Sequence, residues 1–305
     1  MKDSPSLQDL LEVQSYFGLP SPALVEKDWY VVKALAAINT ADTMPFRLVF
    51  GGGTALSRAH RLIRRMSEDI DMKIVSDGEV TRPALRDLRD AITNALLAAG
   101  FEFDPKNSAH RESGNASRYT LYRLPYDPVA EGHSSLRPEI QIETAVWPLR
   151  LPAVRLPVRS FVADAFKRPP EIFTLPCVSI VETVAEKFVA LTRRAGAEFA
   201  SAGGPRDATL VRHIYDLHAL RANYDRAEAI ELARKIMLAD VEAYGHQFPA
   251  YRDDPRRETK RAAQLMAGDT DFARRYADFL RDMVYGEEID FETAVGTITL
   301  LAGLL

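Results

Sequence analysis

Residues Phe46–Val75 read FRLVFGGGTALSRAHRLIRRMSEDIDMKIV, and the punctuation of this stretch decides the fold. Phe46, Leu48 and Phe50 alternate with Arg47 and Val49, which predicts a short strand, and Gly51-Gly52-Gly53 breaks it into a sharp turn. A helix is expected next, with Thr54 or Ser57 as its cap, Leu56, Ala59, Leu62 and Ile63 as its apolar stripe, and Arg61, Arg64 and Arg65 at its far end. A second strand is expected from about Glu68. In it the period of two sets Ile70, Met72 and Ile74 on one face and Asp69, Asp71 and Lys73 on the other. At roughly 3.3 Å of rise per residue, the Cα atoms of the two aspartates lie about 6.6 Å apart, close enough for their carboxylates to converge on divalent cations. Backbone N–H groups in a glycine-rich turn entering a helix form an anion site, and glycine lets a polyphosphate approach. The pair of features suggests a metal–triphosphate complex. No Gly-Lys-Ser/Thr follows the glycines and no G-x-G-x-x-G is present, which excludes the Walker A loop and the dinucleotide fingerprint.

Working outward, the 305 residues, 47% hydrophobic and 27% charged, have the composition of an ordered protein with one large or two ordinary domains. Met1-Lys2-Asp3-Ser4-Pro5 has no apolar signal core, and the apolar tail from Ala294 to Leu305 is too short to span a bilayer, so the expected location is the cytoplasm, with no membrane partner. Cys177 is the only cysteine, which excludes an internal disulfide and a cysteine-rich zinc site. The net charge of −4 argues against nucleic-acid binding by the whole surface. Basic residues are nonetheless grouped: Arg61, Arg64 and Arg65 beside the proposed site, and Arg150, Arg155, Arg159, Lys167 and Arg168 further on, as candidates for phosphate contacts.

Upstream, Ser6–Phe17 and Pro22–Ile38 read as helices. The second carries Lys27 and Asp28, expected as surface charges, with substrate contact as the alternative. Downstream, a helix is expected from Thr81 to Gly100 and strands over Phe101–Asp104, Ser117–Leu124 and from Arg137. In that last strand Glu139, Gln141 and Glu143 share a face opposite Ile140 and Ile142. Glu143 is the candidate third carboxylate, as metal ligand or base, with Glu139 the alternative. Trp147–Pro176, rich in proline and arginine without a period, reads as a linker between lobes. Beyond it, six segments accept a helical stripe: Ser179–Arg194, Thr209–Ala222, Arg226–Tyr244, Asp254–Met266, Thr270–Tyr285 and Phe291–Leu305. The expected architecture is therefore α/β (α+β), an N-terminal mixed-sheet lobe with its leading helices over residues 1–165 and a C-terminal helical bundle over 166–305. Lys187 sits at the edge of the first bundle helix's buried stripe, and Asp216 shares a face with His213, from which it would orient Lys187. His218 points away, which speaks against a three-ligand metal site.

Strand, Gly-Gly turn, helix, Arg-x-Ser, then D-x-D on a second strand resembles the DNA polymerase β-like nucleotidyltransferases. The likeness narrows when further segments are added. GGGTALSRAHRLIRRMSEDIDMKI, the upstream EKDWYVVKAL, and the later SIVETVAEKFVAL and RHIYDLHAL are similar to the successive motifs of the AbiEii toxin-like nucleotidyltransferases, the enzyme halves of AbiE-type and MenT toxin–antitoxin pairs. The resemblance runs from about residue 22 to 222.

It implies that Gly52, Gly53 and Thr54 hold the triphosphate, that Asp69 and Asp71 bind magnesium, with manganese as an alternative, and that Lys187 and Asp216 form the helical lobe's contribution to the site. Ser67, with Arg65 as its partner, matches the family's Arg-x-Ser element. Arg58, a further candidate nucleotide-binding residue with Arg65, Ser67 and Lys187, stands where the family often carries lysine; it keeps the charge but not the compact ammonium. The implied reaction moves a nucleoside monophosphate from an NTP to an acceptor, most readily the 3′ end of tRNA, and so blocks translation. A cognate antitoxin is the implied partner. Protein nucleotidylation is the alternative enzyme activity, and a nucleotide-sensing or antitoxin-binding module without catalysis the alternative of another kind. The intact D-x-D and the Lys187/Asp216 set speak against the latter, and the Gly-Gly-Thr helix speaks against a D-x-D glycosyltransferase.

Overall fold

The computed structural model describes residues 4–201, 204 and 206–305, so the first three positions of the leader reading lie outside the described residues. The chain divides into two compact units, Met1–Val178 and Ser179–Leu305.

The first unit opens with α1 (Leu7–Phe17) and α2 (Pro22–Asn39). Ser6 and Asp9 form a reciprocal capping box on α1, and Gly18, at φ 65°, ends it in the left-handed conformation. Ser21 caps α2, whose first residue is Pro22. Then come β1 (Arg47–Gly51), α3 (Gly52–Thr54), β2 (Asp69–Val75), α4 (Arg82–Ala98), β3 (Arg111–Gly114), β4 (Tyr119–Pro125), β5 (Glu139–Val146), β6 (Val154–Val158), α5 (Phe161–Ala165) and β7 (Ile172–Cys177). The seven strands form one mixed sheet in the order β3-β4-β5-β2-β1-β7-β6. Pairing is antiparallel except between β2 and β5 and between β1 and β7.

One face of this sheet is the core. Phe50, Ile70, Met72, Ile74, Tyr122, Leu124, Ile140 and Ile142 meet Val31, Leu35 and Ile38 of α2 and Leu85, Leu88, Ile92 and Leu96 of α4. Burying each of these large side chains contributes about 1.5–3 kcal/mol, which fixes the strand register because a one-residue slip would turn them to the other face.

Several expectations change. The linker expected over Trp147–Pro176 contains β6, α5 and β7, and because β7 pairs with β1 and β6, residues 166–178 belong with the sheet rather than with the helices. Phe101 and Phe103 are buried but join no ladder. Their alternation reflects packing of a loop onto the core. The long helix expected after the glycines is instead α3 followed by a π-helical turn over Ala55–Ala59, closed by His60 N–H donating to the Ala55 carbonyl at 2.9 Å. Arg61, at φ 60°, ends it. Neither Thr54 nor Ser57 supplies a side-chain cap; Gly51 holds the cap position of α3 and Thr54 that of the π-helical turn.

The second unit is helical: α6 (Ile180–Ala200), α7 (Leu210–Ala219), α8 (Arg226–Tyr244), α9 (Pro249–Asp253), α10 (Pro255–Ala267), α11 (Thr270–Met283) and α12 (Phe291–Gly303). α6 packs on α7, α8 and α10, and α12 on α7 and α10. Val184, Phe188, Leu191, Ile214, Leu217, Ala262, Met266 and Ile298 are buried there at 0–1% exposure. None of the described helices is long and apolar enough to cross a membrane.

Candidate active site

The face of the sheet opposite the α2–α4 core carries the acidic residues. Antiparallel pairing sets Gly51 opposite Asp71, and parallel pairing sets Asp69 opposite Gln141 and Asp71 opposite Glu143. Asp69, Asp71, Glu139 and Glu143 thus share one face across two adjacent strands. Register separates the two candidates for the third: Glu143 stands beside Asp71, whereas Glu139 pairs with Pro125 and accepts from Gln141 at 2.9 Å. Burial, and secondarily the charge of Asp69, pushes the Glu143 carboxyl above the ordinary carboxylate range.

The glycines are fitted to these carboxylates. Gly52 has φ +70°, and a Cβ built on it would fall inside the Asp71 carboxylate; a Cβ on Gly53 would lie 2.5 Å from Arg65 Nη2 and 2.7 Å from Ser67 Oγ. Only glycine lets the turn sit against Asp71, Arg65 and Ser67 together. Thr54 fastens the turn to β2, its hydroxyl donating to the Asp69 carbonyl while its Oγ1 pairs with the Ser67 hydroxyl at 3.0 Å. Arg65 is buried and donates to the Met66 carbonyl at 2.9 Å.

Arg58 turns inward. Its Nε lies 3.2 Å from Asp28 Oδ1 and its guanidinium stacks 3.7 Å over the Phe161 ring. Asp28 is 2% exposed and Lys27 fully buried, so the expectation of surface charge fails for both. Together with Glu26 they form a run on α2 in which each residue fastens a different segment. Glu26 accepts from the N–H groups of Val129 and Ala130, at 2.7 and 3.0 Å. Lys27 donates to the Arg137 carbonyl at 2.8 Å and lies 3.3 Å from Glu68. Asp28 accepts from Phe161 N–H at 2.6 Å. Burial drives the Asp28 carboxyl up to about 6 against the opposing pull of Arg58.

Arg137 is the residue that the sequence pattern hides. Its Nη1 binds Asp69 Oδ1 and lies 3.7 Å from Glu68 Oε1, while its N–H donates to Glu68 Oε2 at 3.0 Å. It follows a polar loop and precedes the alternating strand, and only the parallel pairing of β2 with β5 brings it to Asp69.

In the helical unit, Lys187 Nζ lies 2.9 Å from Asp216 Oδ2 and 3.4 Å from His213 Nδ1. The expected pairing of Lys187 with Asp216 is present, and it is buried: Lys187 is 9% exposed and Asp216 0%. His218 bonds Thr297 Oγ1 at 2.8 Å instead.

No group of three or more His, Cys, Asp or Glu side chains among the described residues forms a ready-made metal cage. The donor set nevertheless fits magnesium, which is commonly held by one or two carboxylates together with substrate phosphates and water rather than by protein alone. Asp69 and Asp71 supply the hard oxygens, and the Gly52–Gly53 cradle lies against Asp71, where phosphates would complete the shell.

A strand that turns through Gly-Gly into a helix, with carboxylates on the next antiparallel strand of a mixed sheet, is the arrangement that the resemblance to polymerase β-like nucleotidyltransferases implies. The family model for the nucleotidyl transferase AbiEii toxin of type IV toxin–antitoxin systems matches residues 33–297, and the chain belongs to that family. Among solved structures, MenT4, the nucleotidyltransferase toxin Rv2826c from Mycobacterium tuberculosis H37Rv, is similar over 98% of this chain and 89% of its own, with a TM-score of 0.60 and 18% identity. At that identity the likeness concerns the fold. No curated protein matches the chain. Family membership makes the protein a toxin-type nucleotidyltransferase, with an NTP as substrate and an antitoxin as partner.

Proposed function

We propose that the protein moves a nucleoside monophosphate from a magnesium-bound NTP to the 3′ end of tRNA and thereby stops translation. The observation that carries this reading is the interlock of Gly52 with the Asp71 carboxylate beside Glu143. It sets a side-chain-free turn of the backbone directly against a carboxylate oxygen donor. Asp69 and Asp71 are the metal ligands, with Glu143 as third ligand or base, and Gly52, Gly53, Thr54, Arg65 and Ser67 hold the triphosphate.

In the reaction the acceptor hydroxyl oxygen forms a bond to the α-phosphorus, the bond from that phosphorus to the bridging oxygen breaks, and pyrophosphate leaves. Glu143, made more basic by burial, is suited to take the hydroxyl proton. Bound magnesium would supply charge neutralisation on the phosphates and a lower hydroxyl pKa. Arg58, engaged with Asp28, acts on the site through packing. Lys187, held by Asp216 in the helical unit, is proposed as a phosphate-binding lysine.

The test is transfer of label from each α-labelled NTP to purified tRNA, with periodate-oxidised tRNA as a control lacking the terminal diol. Label on intact tRNA alone is expected. Equal labelling of oxidised tRNA rules out terminal addition, and label confined to protein replaces this reading with protein nucleotidylation.

A further inference from the structure

The face that carries the carboxylates continues, at the other end of the same strands, into a cavity of about 830 Å3. Register fixes its place. Gly51, Asp71 and Glu143 mark the acidic end, while Arg47 pairs with Val75 and Ile74 with Val146 at the other end. From Asp71 to Val75 is four residues, about 13 Å at roughly 3.3 Å per residue. Val49 and Val75, on the carboxylates' face by their pairing with Lys73 and Arg47, both line the cavity. Its wall is the segment 147–153.

The chemistry of this cavity is unlike that of the acidic end. Arg47, Arg118, Arg150 and Arg155 line it with Asp77 as the sole carboxylate, and Trp147 lies among them with 39% of its surface exposed. Asp77 engages Arg47 at 2.9 Å in an exposed pair. Lys73, on the same face midway along β2, donates to the Pro148 carbonyl at 3.5 Å. A chain with net charge −4 thus gathers arginines and an aromatic ring in one hollow. Of the basic run expected from sequence to meet phosphate, Arg150 and Arg155 line this hollow, whereas Arg159 lies 3.9 Å from Asp164 and Arg168 lies over the Phe166 ring.

We propose that this cavity binds single-stranded RNA, its arginines taking backbone phosphates and Trp147 stacking on a base, a few nucleotides back from the acceptor end. An acidic protein segment would satisfy the arginines but leave the exposed indole without a matching planar partner. Arginine beside an aromatic ring is the pairing used for single strands. The role of the bound strand as acceptor rests on the function proposed above; its binding does not.

The experiment measures the affinity of the full chain for a fluorescent single-stranded RNA oligonucleotide over a salt series without NTP, and for magnesium–NTP separately. Arg118→Glu/Arg155→Glu should weaken RNA binding tenfold or more. The milder Arg118→Ala/Arg155→Ala should reduce the slope of log affinity against log salt by about 1.4, at about 0.7 per phosphate contact. Trp147→Ala should cost about tenfold and Trp147→Phe less. Magnesium–NTP affinity should stay within about twofold, with thermal melts confirming folded variants. Wild-type RNA affinity and slope in all variants overturn the proposal. So does a parallel loss of NTP affinity, which would make the cavity an NTP seat. If RNA binding responds as expected but wild type labels no RNA, the cavity stands and the proposed reaction falls; the reverse result removes the cavity and leaves the reaction.

Discussion

Gly52 carries two constraints at once, a left-handed φ and a carboxylate where a side chain would start. Gly52→Ala should therefore lose nucleotide transfer by about a hundredfold or more and lower stability by about 1–3 kcal/mol, read from labelled-NTP incorporation and denaturant melts. Gly78, which has open space where a Cβ would go, is the comparison, and Gly78→Ala should leave both readouts near wild type. Asp28 gives a pH signature. Its folded value of about 6 lies above the ordinary 3.8, so folding favours the protonated form; that contribution is full below the unfolded value and is lost as pH rises through 6. The melting temperature of wild type relative to Asp28→Asn should therefore fall between pH 4 and about 6.5. A difference that grows with pH would mean that the ion pair with Arg58 outweighs burial. Lys187→Ala and Asp216→Ala each strand a buried charge, which costs about 3–5 kcal/mol. The double variant should lose less stability and less activity than the two singles summed. Additive losses would separate the two residues.

At the scale of elements, β2 and β5 do most of the positioning, and their parallel adjacency is what the sequence conceals. The alternation in DIDMKIV and EIQIETAV reveals each strand and its polar face, and the capped helices α1, α2 and α8 are legible to within a residue or two because Ser6, Ser21 and Asp225 mark their starts. That these two strands pair is a long-range fact, and so is the contact of Arg137 with Asp69. β6 and β7 are hidden for another reason: Pro157, in the edge strand β6 where proline is tolerated, and Pro176, in β7 beside it, interrupt their pattern. Lys27 and Asp28 on α2 read as surface charge because a helix stripe gives no sign that loops will close over it. Lys27→Met should destabilise by about 3–5 kcal/mol by leaving Glu68 without its buried ammonium. Ile142→Ala, deep in the sheet core, should cost about 2–5 kcal/mol. Both are measurable by denaturant titration.

At the scale of the molecule, the sheet unit divides its labour along one face, with carboxylates at one end and arginines at the other, so chemistry and acceptor binding should respond to different substitutions. The helical unit contributes the Lys187–Asp216 pair on its own packed core. The carboxylates of β2, set against the Gly52–Gly53 turn, are the groups proposed to perform nucleotidyl transfer. The most direct measurement is the rate of label transfer from α-labelled NTP to tRNA in magnesium, wild type against Asp69→Asn and Asp71→Asn, with circular dichroism as the control for folding. Each variant should fold as wild type does and lose roughly a thousandfold or more in rate, the cost of several kcal/mol of lost transition-state stabilisation. Wild-type rates in both folded variants would mean that these carboxylates do not carry the transfer.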